Sequence, residues 1–188
     1  MTNACTQRPV SVYMIGNAHI DPVWLWTVDE GRKEVLNTYR TAIMLLRDYH
    51  GYVFTSGGAT TYQWVQQDDP ALFAEIRCAV DEGRWVIVNG WMIQPDCNVP
   101  NGESFARHAL YGQRYFEREF GVRARVGYNV DSFGHAGTLP QILKLSGLDY
   151  YVFFRPGPHE KTLPRGPFWW EAPDGTRVLT CRPPLHYG

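Results

Sequence analysis

Residues 125–155 read RVGYNVDSFGHAGTLPQILKLSGLDYYVFFR, and the order of patterns inside this stretch decides the fold class. A short apolar run from Arg125 to Val130 ends at Asp131 and a glycine-bearing loop. Leu139 to Leu145 then has helical spacing, and Tyr150 to Phe154 is a second apolar run, closed by Arg155. A strand, a crossover helix and a second strand make the unit from which parallel sheets are built. The same alternation extends towards the amino terminus. Val10 to Ala18 reads as a buried strand, and Glu30 to Tyr49 as a helix with Val35, Leu36, Tyr39, Ile43 and Leu46 on its apolar face. Tyr52 to Thr55 is a short strand ending at Gly57-Gly58. Helices follow at Thr60 to Gln66 and Pro70 to Glu82, the second with Pro70 in its first turn and Gly83 at its stop. Trp85 to Val88 is a third strand, and Gly102 to Phe120 a long amphipathic helix closed by Gly121. Beyond Arg155, Phe168 to Glu171 and Arg177 to Thr180 flank Pro-Asp-Gly and read as a hairpin. The class is therefore α/β, a mostly parallel sheet covered by helices on both faces.

Composition narrows the function classes. The chain has 188 residues, 18 Lys and Arg against 19 Asp and Glu, and 44% hydrophobic residues. That length is one domain or most of one, and residues 1–188 are treated as a single unit. A formal net charge of −1 excludes a nucleic-acid binder that depends on bulk charge. No apolar stretch approaches the ~20 residues that span a bilayer. The start MTNACTQRP lacks the apolar core of a signal peptide, and no glycosylation sequon occurs. Cys5, Cys78, Cys97 and Cys181 form no close pairs and read as reduced thiols, so the expected location is cytoplasmic. The 7 Trp, 11 Tyr and 9 Phe suit a large core and equally a cleft that stacks on sugars.

In a parallel sheet the ligand sits at the carboxyl ends of the strands. Those ends carry His19 and Asp21, then Gly57-Gly58, then Asn89 to Trp91 and Asp96, then Asp131, then Arg155. Polar residues thus gather along one edge. In extended chain His19 and Asp21 point the same way, so imidazole and carboxylate can reach one ion; such a donor pair suits Zn²⁺. The plain alternative is a hydrogen-bonded turn. Trp24, after Pro22, reads as pocket wall or as core. Asp131 fits a third ligand, a nucleophile or both, or simply a cap for the turn after it. His135 fits a ligand or a packing residue, and Arg155 a partner for a site carboxylate, a substrate grip or a rim salt bridge. Glu103, near a helix start, reads as a dipole partner, and Asp96 is left open.

Four stretches together carry a resemblance: AHIDPVWLW (18–26), NGWMIQPDCNVPNGES (89–104), YNVDSFGHAGTLPQILKLSGLDYYVFFRP (128–156) and FWWEAPDGTRVL (168–179). In this order over nearly the whole chain, they resemble the amino-terminal catalytic domain of glycoside hydrolase family 38, the retaining α-mannosidases. The third stretch is nearer to the bacterial and cytosolic members than to the Golgi enzymes. The resemblance implies a distorted seven-stranded β/α barrel and one Zn²⁺ per chain, with His19, Asp21 and Asp131 matching three ligands. It also implies that Asp131 is the nucleophile, and that Trp24, Phe133 and Arg155 are substrate-binding positions. α-Mannosides or mannose-containing oligosaccharides would be the partners, with no nucleic acid or membrane and an open oligomeric state. The family's fourth ligand and general acid have no match up to Gly188, and a complete barrel typically needs about 250 residues. The expectation is therefore an incomplete, truncated domain of low activity by itself. Two other readings of the same residues stay open, a zinc-dependent carbohydrate deacetylase and a non-catalytic carbohydrate-binding module.

Overall fold

The computed structural model describes residues 13–184. Among them, strands and helices follow one another as β1 (Gly16–Asn17), α1 (Val28–Asp48), β2 (Phe54–Gly57), α2 (Ala59–Asp68), α3 (Pro70–Asp81), β3 (Trp85–Val88), α4 (Gly102–Phe120), β4 (Val126–Asn129), α5 (Leu139–Leu145), β5 (Tyr150–Phe153), β6 (Phe168–Glu171) and β7 (Arg177–Cys181). The strands form two sheets, β1-β2-β3 and β4-β5-β7-β6. All pairings are parallel except the β6–β7 hairpin, where Phe168 faces Thr180 and Glu171 faces Arg177. The α/β class holds; the described residues pair their strands into these two sheets and do not by themselves show the seven-stranded barrel, expected here as incomplete, that the resemblance implies. The two sheets touch where the Asn89 amide, just past β3, donates to the Val126 carbonyl of β4 at 2.7 Å.

The first strand differs most from expectation. Only Gly16 and Asn17 pair with β2, and Val10 to Ser11 and Val12 lie outside the described residues. Tyr13, Met14 and Ile15 are 87%, 89% and 62% exposed rather than buried. An apolar run becomes a buried strand only where other elements cover it, and among the described residues none covers these three. Helix α1 starts at Val28, before the apolar spacing begins, because its start is set by a cap. Thr27 Oγ1 accepts from the Glu30 amide at 3.4 Å, and Glu30 Oε2 accepts from the Thr27 amide at 2.8 Å. Such a reciprocal box satisfies two amides that the helix start leaves without partners. Asp69 caps α3 by a single bond, its Oδ1 accepting from the Leu72 amide, with Pro70 next.

The core lies between the sheets and helices α1 to α5. Around Trp85 the rings of Tyr39 and Phe54 meet edge to face at 5.0 and 4.7 Å. Their polar tips are paired inside the core: Tyr39 shares hydrogen bonds of 2.8 Å with Ser56 and Thr61, and Trp85 Nε1 donates to the Tyr62 hydroxyl at 2.8 Å. Burial pushes the Tyr39 hydroxyl up to about 12, against the opposing pull of its hydrogen bonds to Ser56 and Thr61. Helix α4 lies directly on the turn after β3. A Cβ at Gly112 would fall 2.5 Å from the Gly90 carbonyl oxygen and 2.7 Å from the Trp91 backbone. That turn needs left-handed backbone at Asn89, with φ of 71°, and at Gly90, with φ of 70°, conformations that Asn and Gly adopt most readily.

Next to Gly112, the Gln113 side chain acts as a substitute strand. Its Nε2 donates to the Ala124 carbonyl at 2.8 Å and its Oε1 accepts from the Ala124 amide at 3.0 Å. Both partners are buried. Gln113→Leu strands two main-chain groups, and each costs about 1–3 kcal/mol. Urea denaturation of the variant is expected to show at least about 2 kcal/mol of lost stability, with the m-value unchanged.

Candidate active site

The carboxyl ends of β1, β3, β4 and β5 bring the chemistry together. The chain leaves β1 through Ala18 and reaches His19-Ile20-Asp21, then turns into α1. That turn is pinned at two points: Trp26 Nε1 donates to the Asp21 carbonyl at 3.1 Å, and Gly31 lies so close to Pro22 that a Cβ would stand 2.3 Å from the Pro22 oxygen. Upstream, Asn17 Nδ2 donates to the Thr55 carbonyl of β2 at 3.0 Å. His19 and Asp21 therefore stand on a fixed stretch of backbone.

His19 Nε2 lies 3.3 Å from Asp21 Oδ1 and 4.0 Å from Asp131 Oδ2. The three side chains, all partly buried, offer one ligand atom each within 4.8 Å of one another. Among the described residues this is the one grouping of at least three His, Cys, Asp or Glu that can hold a metal. The other carboxylate oxygen of Asp131, Oδ1, accepts from Arg155 Nε at 2.6 Å. The Arg155 guanidinium stacks over the Phe133 ring, 4.6 Å from its centre. Asp131 thus has one oxygen turned to a cation and the other turned to His19.

A cavity of about 180 Å³ opens over this group, lined by His19, Asp21, Gln94, Pro95, Asp96, Asp131, Ser132 and Phe133. A larger cleft of about 730 Å³ between α4 and α5 contains no such donor group and is not the chemical site. Phe133 is 74% exposed and presents a ring at the rim. Trp24 stands outside this lining, 63% exposed and edge-on to Trp26 at 5.3 Å, so it is neither core nor wall of this cavity. Asp96 lines the cavity and accepts from the Asn98 amide at 2.9 Å, which folds the loop after β3. Glu103 pairs with Arg107 at 2.7 Å in the first turn of α4, as a dipole partner would.

Two residues of the site carry no spacing signal. Gln94 Oε1 accepts from the Val130 amide at 3.2 Å, and Ser132 Oγ donates to the Pro95 carbonyl at 2.8 Å. Together they stitch the loop after β3 to the loop after β4. Their only sequence cue is adjacency to Asp96 and Asp131. His135 does not join the metal group. Its Nε2 lies 2.7 Å from the Arg155 carbonyl, and its Nδ1 lies 2.8 Å from the Tyr151 hydroxyl.

The sequence matches the family model described as "Glycosyl hydrolases family 38 N-terminal domain" over residues 9–188. The chain belongs to that family. It is 34% identical over 180 residues to "Alpha-mannosidase G" of Dictyostelium discoideum and 31% identical over 181 residues to "Alpha-mannosidase" of Saccharomyces cerevisiae. Each match covers 95% of this chain and 17% of the relative, so the chain spans about a sixth of the length of these proteins. In fold it is similar to an alpha-mannosidase from Enterococcus faecalis V583, with a TM-score of 0.81 at 23% identity, over 93% of this chain and 20% of that one. No helix among the described residues is long and apolar enough to cross a membrane.

Burial lowers the proton affinity of two imidazoles, His135 and, less directly tied to the site, His108. A histidine whose folded pKa lies below its unfolded value of about 6.5 binds fewer protons folded than unfolded in that window. Stability is then complete above ~7 and falls as pH drops below ~6.5. The thermal midpoint of the chain is expected to decline from pH ~7 to pH ~5, and to decline less steeply in His135→Gln. Equal slopes in the two proteins would show that His135 is not held neutral.

Proposed function

We propose that this chain supplies one part of the active site of a retaining, zinc-dependent α-mannosidase, with Asp131 as nucleophile. The observation that carries the reading is the convergence of His19, Asp21 and Asp131, with Arg155 on the far oxygen of Asp131, in a member of family 38. The donor set fits Zn²⁺. The 3.3 Å between His19 Nε2 and Asp21 Oδ1 is close to the ~3.4 Å spacing of two donors on a tetrahedral ion with bonds of about 2.1 Å. One imidazole and two carboxylates also leave positions for substrate oxygens. When bound, Zn²⁺ supplies Lewis acidity that fixes sugar hydroxyls and favours distortion of the ring.

The remaining steps belong to the chain. Arg155, hydrogen-bonded to Asp131 Oδ1, holds the carboxylate plane fixed, so that the other oxygen stays turned to the cavity. An Asp131 oxygen forms a bond to the anomeric carbon of a terminal mannose as the glycosidic carbon–oxygen bond breaks. The departing oxygen takes its proton from a general acid that is not assigned among the described residues. Water then cleaves the mannosyl-Asp131 ester at the same carbon, and the configuration is retained. Phe133 offers an apolar ring to the sugar at the rim, and Trp24 serves as a second aromatic surface farther out. Cys78, Cys97 and Cys181 are thiols, which supports a reducing, cytoplasmic setting.

An activated fluoromannosyl probe, whose leaving group departs without a proton, tests this reading in this chain. The expected result is one fluoromannosyl group on the peptide containing Asp131, absent in Asp131→Asn. Acetate release from an acetylated mannoside without labelling would instead favour the deacetylase. For the 188-residue chain alone, elemental analysis is expected to give close to one zinc, lost in Asp131→Ala. Hydrolysis of an aryl α-mannoside by this chain is expected to be at least on the order of 10²-fold slower than by the Saccharomyces cerevisiae relative, the factor that general acid catalysis contributes.

A further inference from the structure

A buried polar chain runs beneath Asp131, and none of the steps above uses it. Asn129, at the end of β4, donates from Nδ2 to Cys97 Sγ at 2.7 Å. The Cys97 thiol also lies 3.8 Å from the Tyr151 hydroxyl of β5. Asn129, Cys97 and Tyr151 are fully buried. The Tyr151 hydroxyl reaches His135 Nδ1 at 2.8 Å, and His135 Nε2 reaches the Arg155 carbonyl at 2.7 Å.

The chemistry of the last partner fixes the protons on His135 and Tyr151. A carbonyl only accepts, so His135 Nε2 carries the hydrogen. In a neutral imidazole Nδ1 is then the acceptor, and the Tyr151 O–H must donate to it. Burial favours that neutral form, pushing the His135 pKa down and the Tyr151 pKa well up. The His135 ring is further boxed by Phe153 at 4.8 Å and Tyr151 at 5.6 Å. Its backbone is bridged to Cys97, and the neighbouring Ala136 amide donates to the Cys97 carbonyl at 2.9 Å.

These contacts close a ring on one residue. The loop after β4 grips Arg155 twice, through Asp131 on the guanidinium and through His135 on the main-chain carbonyl. We infer that His135 is a positioning residue for the nucleophile: by donating Nε2–H to the Arg155 carbonyl it fixes the backbone from which the guanidinium reaches Asp131. The inference deepens the proposed reading of the site and rests on it for the role of Asp131. An apolar side chain of the same bulk fills the space but leaves the Arg155 carbonyl and the Tyr151 hydroxyl without this partner. Direct partners of a metal ligand, here Arg155, typically change metal affinity by about 10–100-fold when removed. His135 acts through Arg155, so its loss is expected to weaken binding by no more than about the lower end of that range.

The test uses ¹⁵N NMR and zinc titration of the full chain, wild type against His135→Leu and His135→Gln. The Gln amide keeps a donor near the place of the imidazole Nε2. In wild type, His135 should show a protonated Nε2 and a bare Nδ1. Arg155 Nε–H should give a slowly exchanging signal, assigned by its loss in Arg155→Lys. His135→Gln is expected to keep that signal and to bind zinc within about threefold of wild type, while His135→Leu loses the signal and binds up to about 10-fold more weakly. A protected Arg155 signal in a folded His135→Leu protein overturns the inference. So does equal loss in both variants, or the opposite tautomer in wild type. If His135→Leu does not fold, His135→Gln decides alone, since loss of the Arg155 signal there overturns the inference and retention upholds it. Absence of zinc binding in wild type overturns the metal reading of the site, and the Arg155 signal still decides the role of His135.

Discussion

Two carboxylates and an imidazole held within 4.8 Å of one another are the constraint on which the rest of the site depends. Two like charges at that separation repel by about 3 kcal/mol where the effective dielectric is near 20. A folded chain keeps such a group only by supplying positive charge or by leaving room for it. Here it does both. Arg155 takes one oxygen of Asp131, and the space between the other oxygen, His19 and Asp21 faces a cavity. The arrangement is poor as a contribution to stability and well suited to holding a cation and directing a nucleophile.

The scaffold serves that group economically. Short parallel strands of four residues or fewer lie under the site, and the helices that cross over them bury the aromatic core. Each site residue leaves its strand within a few positions and is then pinned by a local device. The devices are the Trp26 and Gly31 contacts behind Asp21, Gln94 and Ser132 between the two loops, and Phe133 under the guanidinium of Arg155.

Much of this was legible in the residues. Helix α4 runs from Gly102 to Phe120 as its apolar spacing and Gly121 require, and the hairpin forms around Pro-Asp-Gly, because both patterns are local. His19, Asp21, Asp131 and Arg155 were readable for a related reason: strand order fixes which ends share an edge. The first strand was not legible, since burial of Tyr13 to Ile15 depends on what covers them and not on their own hydropathy. The capping box was written in Thr27 and Glu30 and yields to apolar periodicity if periodicity alone is followed. The contacts among Cys97, Asn129, Tyr151 and His135 join residues up to 54 positions apart. No spacing rule couples them; only the folded register does.

The hydrogen bond from the Asn89 amide to the Val126 carbonyl gives the molecule a mechanical character. With the Ala136 amide on the Cys97 carbonyl, it forms the main-chain joint between a three-stranded half and a four-stranded half. His19 and Asp21 belong to the first half, and Asp131 and Arg155 to the second. A ligand gripped by all of them spans the joint like a rivet through two plates. Binding strength at the site and the stiffness with which the plates are held together are then one property, and whatever loosens the rivet softens the whole frame.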